Sequence, residues 1–90
     1  MTSQEQSQAF YLAETVTLIG KNFLSDEQIT RDLNSIIDSI MHTAPEIINK
    51  KWMDIYLYCS NHFTDIDNMQ HYKAFNTYQE RYNKYKTLFI

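Results

Sequence analysis

The chain has 90 residues, a net charge of −3, and one glycine, one proline and one cysteine. So few turn formers argue against a sandwich or barrel, which needs a turn signal every ~8–12 residues. Cys59 alone closes no internal disulfide, and the polar start MTSQEQSQ and the lack of any run of ~18 apolar residues set aside secretory and membrane-spanning readings. The expectation is a single all-α domain over residues 1–90, cytoplasmic, folded as a compact four-helix up-down bundle.

The first helix is expected from about Ser3, where SQEQ has the S-x-x-Q form of a capping box, to Gly20 as a left-handed terminator. Its main stripe is Ala9, Leu12, Ala13, Val16 and Ile19. The second begins at Ser25, with SDEQ supplying an N-cap and two carboxylates beside the positive end of the helix dipole. Ile29, Leu33, Ile36, Ile37, Ile40 and Met41 follow at helical spacing. Glu27, Arg31, Asn34, Ser35 and Asp38 take the opposite arc, so this helix covers a core and faces water.

Thr43-Ala-Pro-Glu46 marks the next break, with Thr43 as cap, Pro45 in the first turn and Glu46 closing a T-x-x-E box. A third helix from about Ala44 to His62 then directs Ile48, Trp52, Ile55, Cys59 and Phe63 inward. Thr64 to Asn68 forms the last turn, and the fourth helix covers roughly Asn68 to Leu88. Short connections make consecutive helices antiparallel. The expected core is Val16, Ile19, Leu33, Ile37, Ile40, Ile48, Trp52, Ile55, Phe75, Tyr78 and Tyr82.

The last helix carries Tyr72, Phe75, Tyr78, Tyr82, Tyr85 and Phe89 within an arc of roughly 140° on a 3.6-residue wheel, a normal core-facing width. Lys73, Arg81 and Lys84 point the other way. A platform for stacking nucleic-acid bases needs cations beside the rings, and only Lys86 lies there, so packing is the better reading. A stripe this rich in tyrosine also implies a wet margin, of the kind subunit interfaces have.

Charge is divided along the chain. Residues 1–67 hold four Lys/Arg against ten Asp/Glu, a net of −6, and residues 68–90 hold four against Glu80 alone, a net of +3. Lys73, Arg81, Lys84 and Lys86 therefore form a candidate basic surface on an otherwise acidic molecule.

Nothing points to chemistry or a cofactor. Cys59 and His62, with His71 and His42 elsewhere, lack the second ligand pair that structural zinc requires. A Cys–His nucleophile lacks an oxyanion element and a third member, and Asp65 and Asp67 lack the rest of a calcium loop. The segment from Leu24 to Ile40 begins like a helix-turn-helix but runs on as one amphipathic helix without a basic recognition helix. A non-enzymatic protein with no cofactor and no metal is expected.

Apolar residues behind the main stripes indicate what it binds. Tyr11 and Leu18 lie behind the stripe of the first helix, and Met53 and Leu57 behind that of the third. With Tyr85, these are the candidate partner-binding residues, and a homodimer is expected. By elimination, the chain reads as a small regulatory or inhibitory protein, such as an immunity protein or phage inhibitor, that binds a protein partner. The alternative is a DNA-associated transcriptional regulator using the basic face of the last helix. Nucleic acid ranks second because DNA affinity depends on neutralising phosphates. No membrane partner is implied.

Residues 16–59 resemble the small enterobacterial YmgB/AriR family of biofilm and acid-resistance regulators. The likeness lies in Ser35-Ile-Ile-Asp-Ser-Ile40, a short break, and the amphipathic stretch from Ile47 to Cys59. It implies a compact, all-helical, dimeric regulator without enzymatic activity, acting through protein partners or DNA. The aromatic fourth helix lies outside the likeness, and no functional residue is carried over.

Overall fold

The computed structural model describes residues 3–89, apart from the side chains of Ser3 and Pro45. It holds four helices and, among the described residues, no strand: α1 (Ser3–Gly20), α2 (Glu27–Met41), α3 (Ile48–His62) and α4 (Met69–Phe89). Two 3-10 turns, Lys21–Phe23 and Pro45–Ile47, precede α2 and α3. Among the described residues no helix is long and apolar enough to cross a membrane. The capping box expected at Ser3 and the ring of Pro45 lie outside the described residues.

The junctions depart from expectation in three places. Gly20 is right-handed, at φ −58° and ψ −30°, so it does not terminate the helix. The chain runs on through the 3-10 turn, which drives Phe23 into the core. The cap of α2 is Asp26, not Ser25: its carboxylate accepts from the Ile29 backbone N–H at 3.1 Å. The Phe23 carbonyl fixes this turn by accepting from the Asp26 N–H and the Thr30 hydroxyl. Thr43 does not cap α3, because its hydroxyl donates back to the Ser39 carbonyl at 2.6 Å and closes the end of α2.

The fourth helix starts as its sequence dictates. Asp65 accepts from the Asp67 N–H across the turn, and Asn68 accepts from the N–H groups of Gln70 and His71. Asn68 satisfies backbone donors that would otherwise be orphaned at the helix start, and Asp65 fixes the turn before it.

The helices form an up-down bundle in which α1 is the most surrounded member. It packs along α2 and α4, and α3 packs chiefly along α4. Cross-contacts give the directions. Residues 11, 15 and 23 of the first segment meet 89, 81 and 71 of α4, and Asn49 meets Tyr85 while Phe63 meets His71. Both pairs are antiparallel. The diagonal helices α1 and α3 run parallel, with Tyr11 against Trp52 at one end and Phe23 stacked on Phe63 at the other.

Nine of the eleven expected core residues are buried; Ile37 and Phe75 are only half-buried. Ile37 lies toward the edge of α2, and Phe75 faces Tyr56 at the margin between α3 and α4. Leu12, Phe23, Cys59, Phe63, Ala74 and Tyr85 complete the apolar core.

Candidate functional site

The tyrosines of α4 close over Trp52, which is fully buried at the meeting of α1, α3 and α4. Tyr85 stacks on the indole at a centroid distance of 4.4 Å, and Tyr78 and Tyr82 meet it at 5.8 and 6.0 Å. Tilted and offset contacts at these distances are the geometry aromatic quadrupoles favour. The hydroxyls are placed as well: Tyr78 donates to the Trp52 carbonyl, and Tyr85 bonds the Asn49 side chain. Burial pushes both phenols above their ordinary range. The stripe of rings is largely the protein's own interior, as its width on the helix indicated.

This packing takes in three of the expected partner residues to different degrees. Tyr85 is 1 % exposed and cannot reach another molecule. Tyr11 is half-buried, since its ring lies against Trp52 and Phe89 and beneath the Arg81 guanidinium, 4.2 Å away. The second apolar face of α1 exists because α1 is buried from more than one side. Leu18, two turns from Tyr11 and on the same side, is also half-buried.

The candidate basic surface is likewise divided. Arg81 donates to Glu14 at 2.7 Å and to the buried Thr15 hydroxyl at 3.1 Å, which ties α4 to α1. Thr15 in turn donates to the Tyr11 carbonyl. Lys86 lies 4.5 Å from the Tyr82 ring centre. Lys73 and Lys84 are exposed. Neither the ion pair nor its threonine relay was visible in the sequence, because Glu14 and Arg81 are 67 positions apart.

Met53 and Leu57 remain open, at 44 % and 53 % exposure on α3. Met53 forms one wall of a groove of about 400 Å³ between α3 and α4, lined also by Tyr56, Gln79, Tyr82, Asn83 and Lys86. Tyr56 and Tyr82, with ring centres 5.6 Å apart, line it from the two helices. This groove was not anticipated, although Met53 was. Its α4 wall combines residues 79, 83 and 86, a helical spacing that went unmarked because the aromatic stripe dominates that helix.

The cysteine and histidines are dispersed by the fold. Cys59 is fully buried, and burial pushes its thiol up to about 12, so little thiolate is available at neutral pH. His62 lies against Tyr58 on the exposed side of α3, while His71 packs against Phe23 and Phe63. Among the described residues no group of three or more His, Cys, Asp or Glu is assembled as a metal site. Asp32 accepts from the Tyr58 hydroxyl at 3.3 Å; burial first, and Asp32 second, push that phenol up to about 12.

No known protein family matches the chain, and no curated protein or solved structure is significantly similar to it.

Proposed function

We propose that this protein acts without catalysis, as a small regulator or inhibitor that binds a protein partner through the exposed face of α3. The observation that carries this reading is the pair Met53 and Leu57, one turn apart, left open beside an aromatic-floored groove on a chain of only 90 residues. Large apolar side chains grouped at a groove are a feature of binding surfaces, whereas scattered ones are ordinary. The likeness of residues 16–59 to the YmgB/AriR regulators agrees with a product that is a contact.

The DNA-associated alternative is weakened by Arg81, whose guanidinium already serves Glu14 and Thr15. Lys73, Lys84 and Lys86 offer few neutralised phosphates, and each such contact contributes to a salt-dependent affinity. Affinity capture from the native host should retain one protein on the wild-type chain and lose it on Met53→Asp or Leu57→Asp. A DNA shift assay at low and physiological salt runs beside it. A salt-resistant DNA complex weakened by Lys84→Glu would overturn the protein-binding reading.

A further inference from the structure

We propose that the groove between α3 and α4 docks an acidic amphipathic helix of a partner protein, an inference that rests on the protein-binding reading above and names the partner's chemistry. Shape comes first. Gln79, Asn83 and Lys86 form a ridge on α4 about 11 Å long, given a 1.5 Å rise per residue. Met53 forms the facing wall on α3, with Leu57 exposed one turn further on, and Tyr56 and Tyr82 lie between. A trough of two helical turns, with rings on its floor, suits a helix presenting anchors at i, i+3 or i+4, and i+7. The amides of Gln79 and Asn83 both donate and accept, so the groove can meet a polar edge without stranding it.

Charge decides the sign of the occupant. Among the described residues no carboxylate lines the groove, and Lys86 stands over Tyr82 on its rim. Lys50 is exposed on α3, one turn before Met53 and Asp54. Its neighbour Asn49 bonds Tyr85, next to Lys86 in α4, so both lysines stand at the same end of the groove. The distribution over the whole chain agrees. Residues 48–90 hold six Lys/Arg against four Asp/Glu, whereas residues 1–47 hold two against seven. Arg81 is paired with Glu14 of α1, so the positive character of the groove rests on Lys50 and Lys86. Exposed rim charges act mainly on orientation and encounter rate, which sets the expected size of their effect.

A second copy of the chain fits this groove less well. Its acidic elements are α1 and α2, whose main apolar stripes already pack into its own core.

The test uses the full chain and a displayed library of amphipathic helical peptides. Enriched peptides should carry apolar anchors at helical spacing with Asp or Glu toward one end. Met53→Asp should weaken their binding about tenfold or more, with its circular dichroism and thermal midpoint unchanged because Met53 is exposed. Lys86→Glu should weaken binding several-fold at low salt and less at high salt. Replacing the peptide's carboxylate by lysine should then restore it. Enrichment of basic or uncharged peptides, no enrichment, or binding indifferent to Met53→Asp overturns the proposal. So does a wild-type dimer that sedimentation shows to dissociate on Met53→Asp, since a second copy would then cover the groove. If the peptides fail while a host protein is still lost on Met53→Asp, only the acidic-helix chemistry falls. If both fail, the protein-binding reading falls with it.

Discussion

Helices α2 and α4 flank the same helix, α1, but they are held there by different physics. The second helix attaches through an aliphatic stripe, with Leu33 and Ile40 buried and Ile29, Ile36 and Ile37 packed beside them. The fourth attaches through rings, two of which, Tyr78 and Tyr85, also hydrogen-bond α3, and through the seam joining Arg81 to Glu14 and Thr15. An aliphatic stripe is non-directional and tolerates modest repacking. A tyrosine-rich face also has directional bonds to satisfy, such as those of Tyr78 and Tyr85, so it is more specific and less forgiving. The difference also explains where a binding groove arises. The rings of α4 reach the margin between α3 and α4, where Tyr56 and Tyr82 line the groove.

Removing the anchor of the aromatic side should have the largest effect. Trp52→Ala is expected to cost about 3–5 kcal/mol, against roughly 2–5 kcal/mol for Leu33→Ala on the aliphatic side, read from urea unfolding. A larger loss for Leu33→Ala would mean that α2, not the rings, dominates stability.

The polar seam comes next. Arg81→Met should cost about 1–3 kcal/mol by leaving the buried Thr15 hydroxyl without its donor. Glu14→Gln should cost under about 1 kcal/mol, because that partner is largely exposed and the pair is screened by solvent. Equal losses for the two would place the value of the seam in the ion pair instead of in the threonine.

Alkaline pH should act on the aromatic side selectively. Cys59 and Tyr58 are held near 12, above ordinary values of 9.0 and 10.0, and Tyr78 and Tyr85 are raised too, all chiefly by burial. Between about pH 9 and 12 the unfolded chain has therefore lost protons that the folded chain retains. Stability is flat with respect to these groups below pH 9 and falls as pH rises beyond it. Chemical denaturation across that range should show the decline, with Tyr58→Phe reducing its slope. A pH-independent midpoint up to pH 11 would contradict the burial of these groups.

The smallest expected effect is at the α1–α2 corner. Gly20 is right-handed, and an added Cβ would meet only Leu33 Cδ1, at an ordinary 3.6 Å. Gly20→Ala should raise stability by about 0.4–1 kcal/mol through a less flexible unfolded chain. A loss would mean that this corner needs glycine after all, as a left-handed terminator does.

Local chemistry made the helices legible. The apolar spacing from Ile29 to Ile40 admits only a half-buried helix, and Asn68 caps α4 by bonds that span two or three residues. The all-α class and the inward face of Trp52 follow from periodicity, as does the position of Met53 and Leu57 behind the main stripe of α3, though not their exposure. The corners were less legible, because Ser25 and Asp26 are both good caps and the choice depends on where the Phe23 carbonyl lies. Nothing local distinguishes a tyrosine facing a partner from one facing Trp52, or a free Arg81 from one held by Glu14. Those outcomes depend on residues dozens of positions away, brought together only when α1 is enclosed by its neighbours. Periodicity told which side of each helix is apolar; the tertiary structure decided which of those sides the protein keeps for itself.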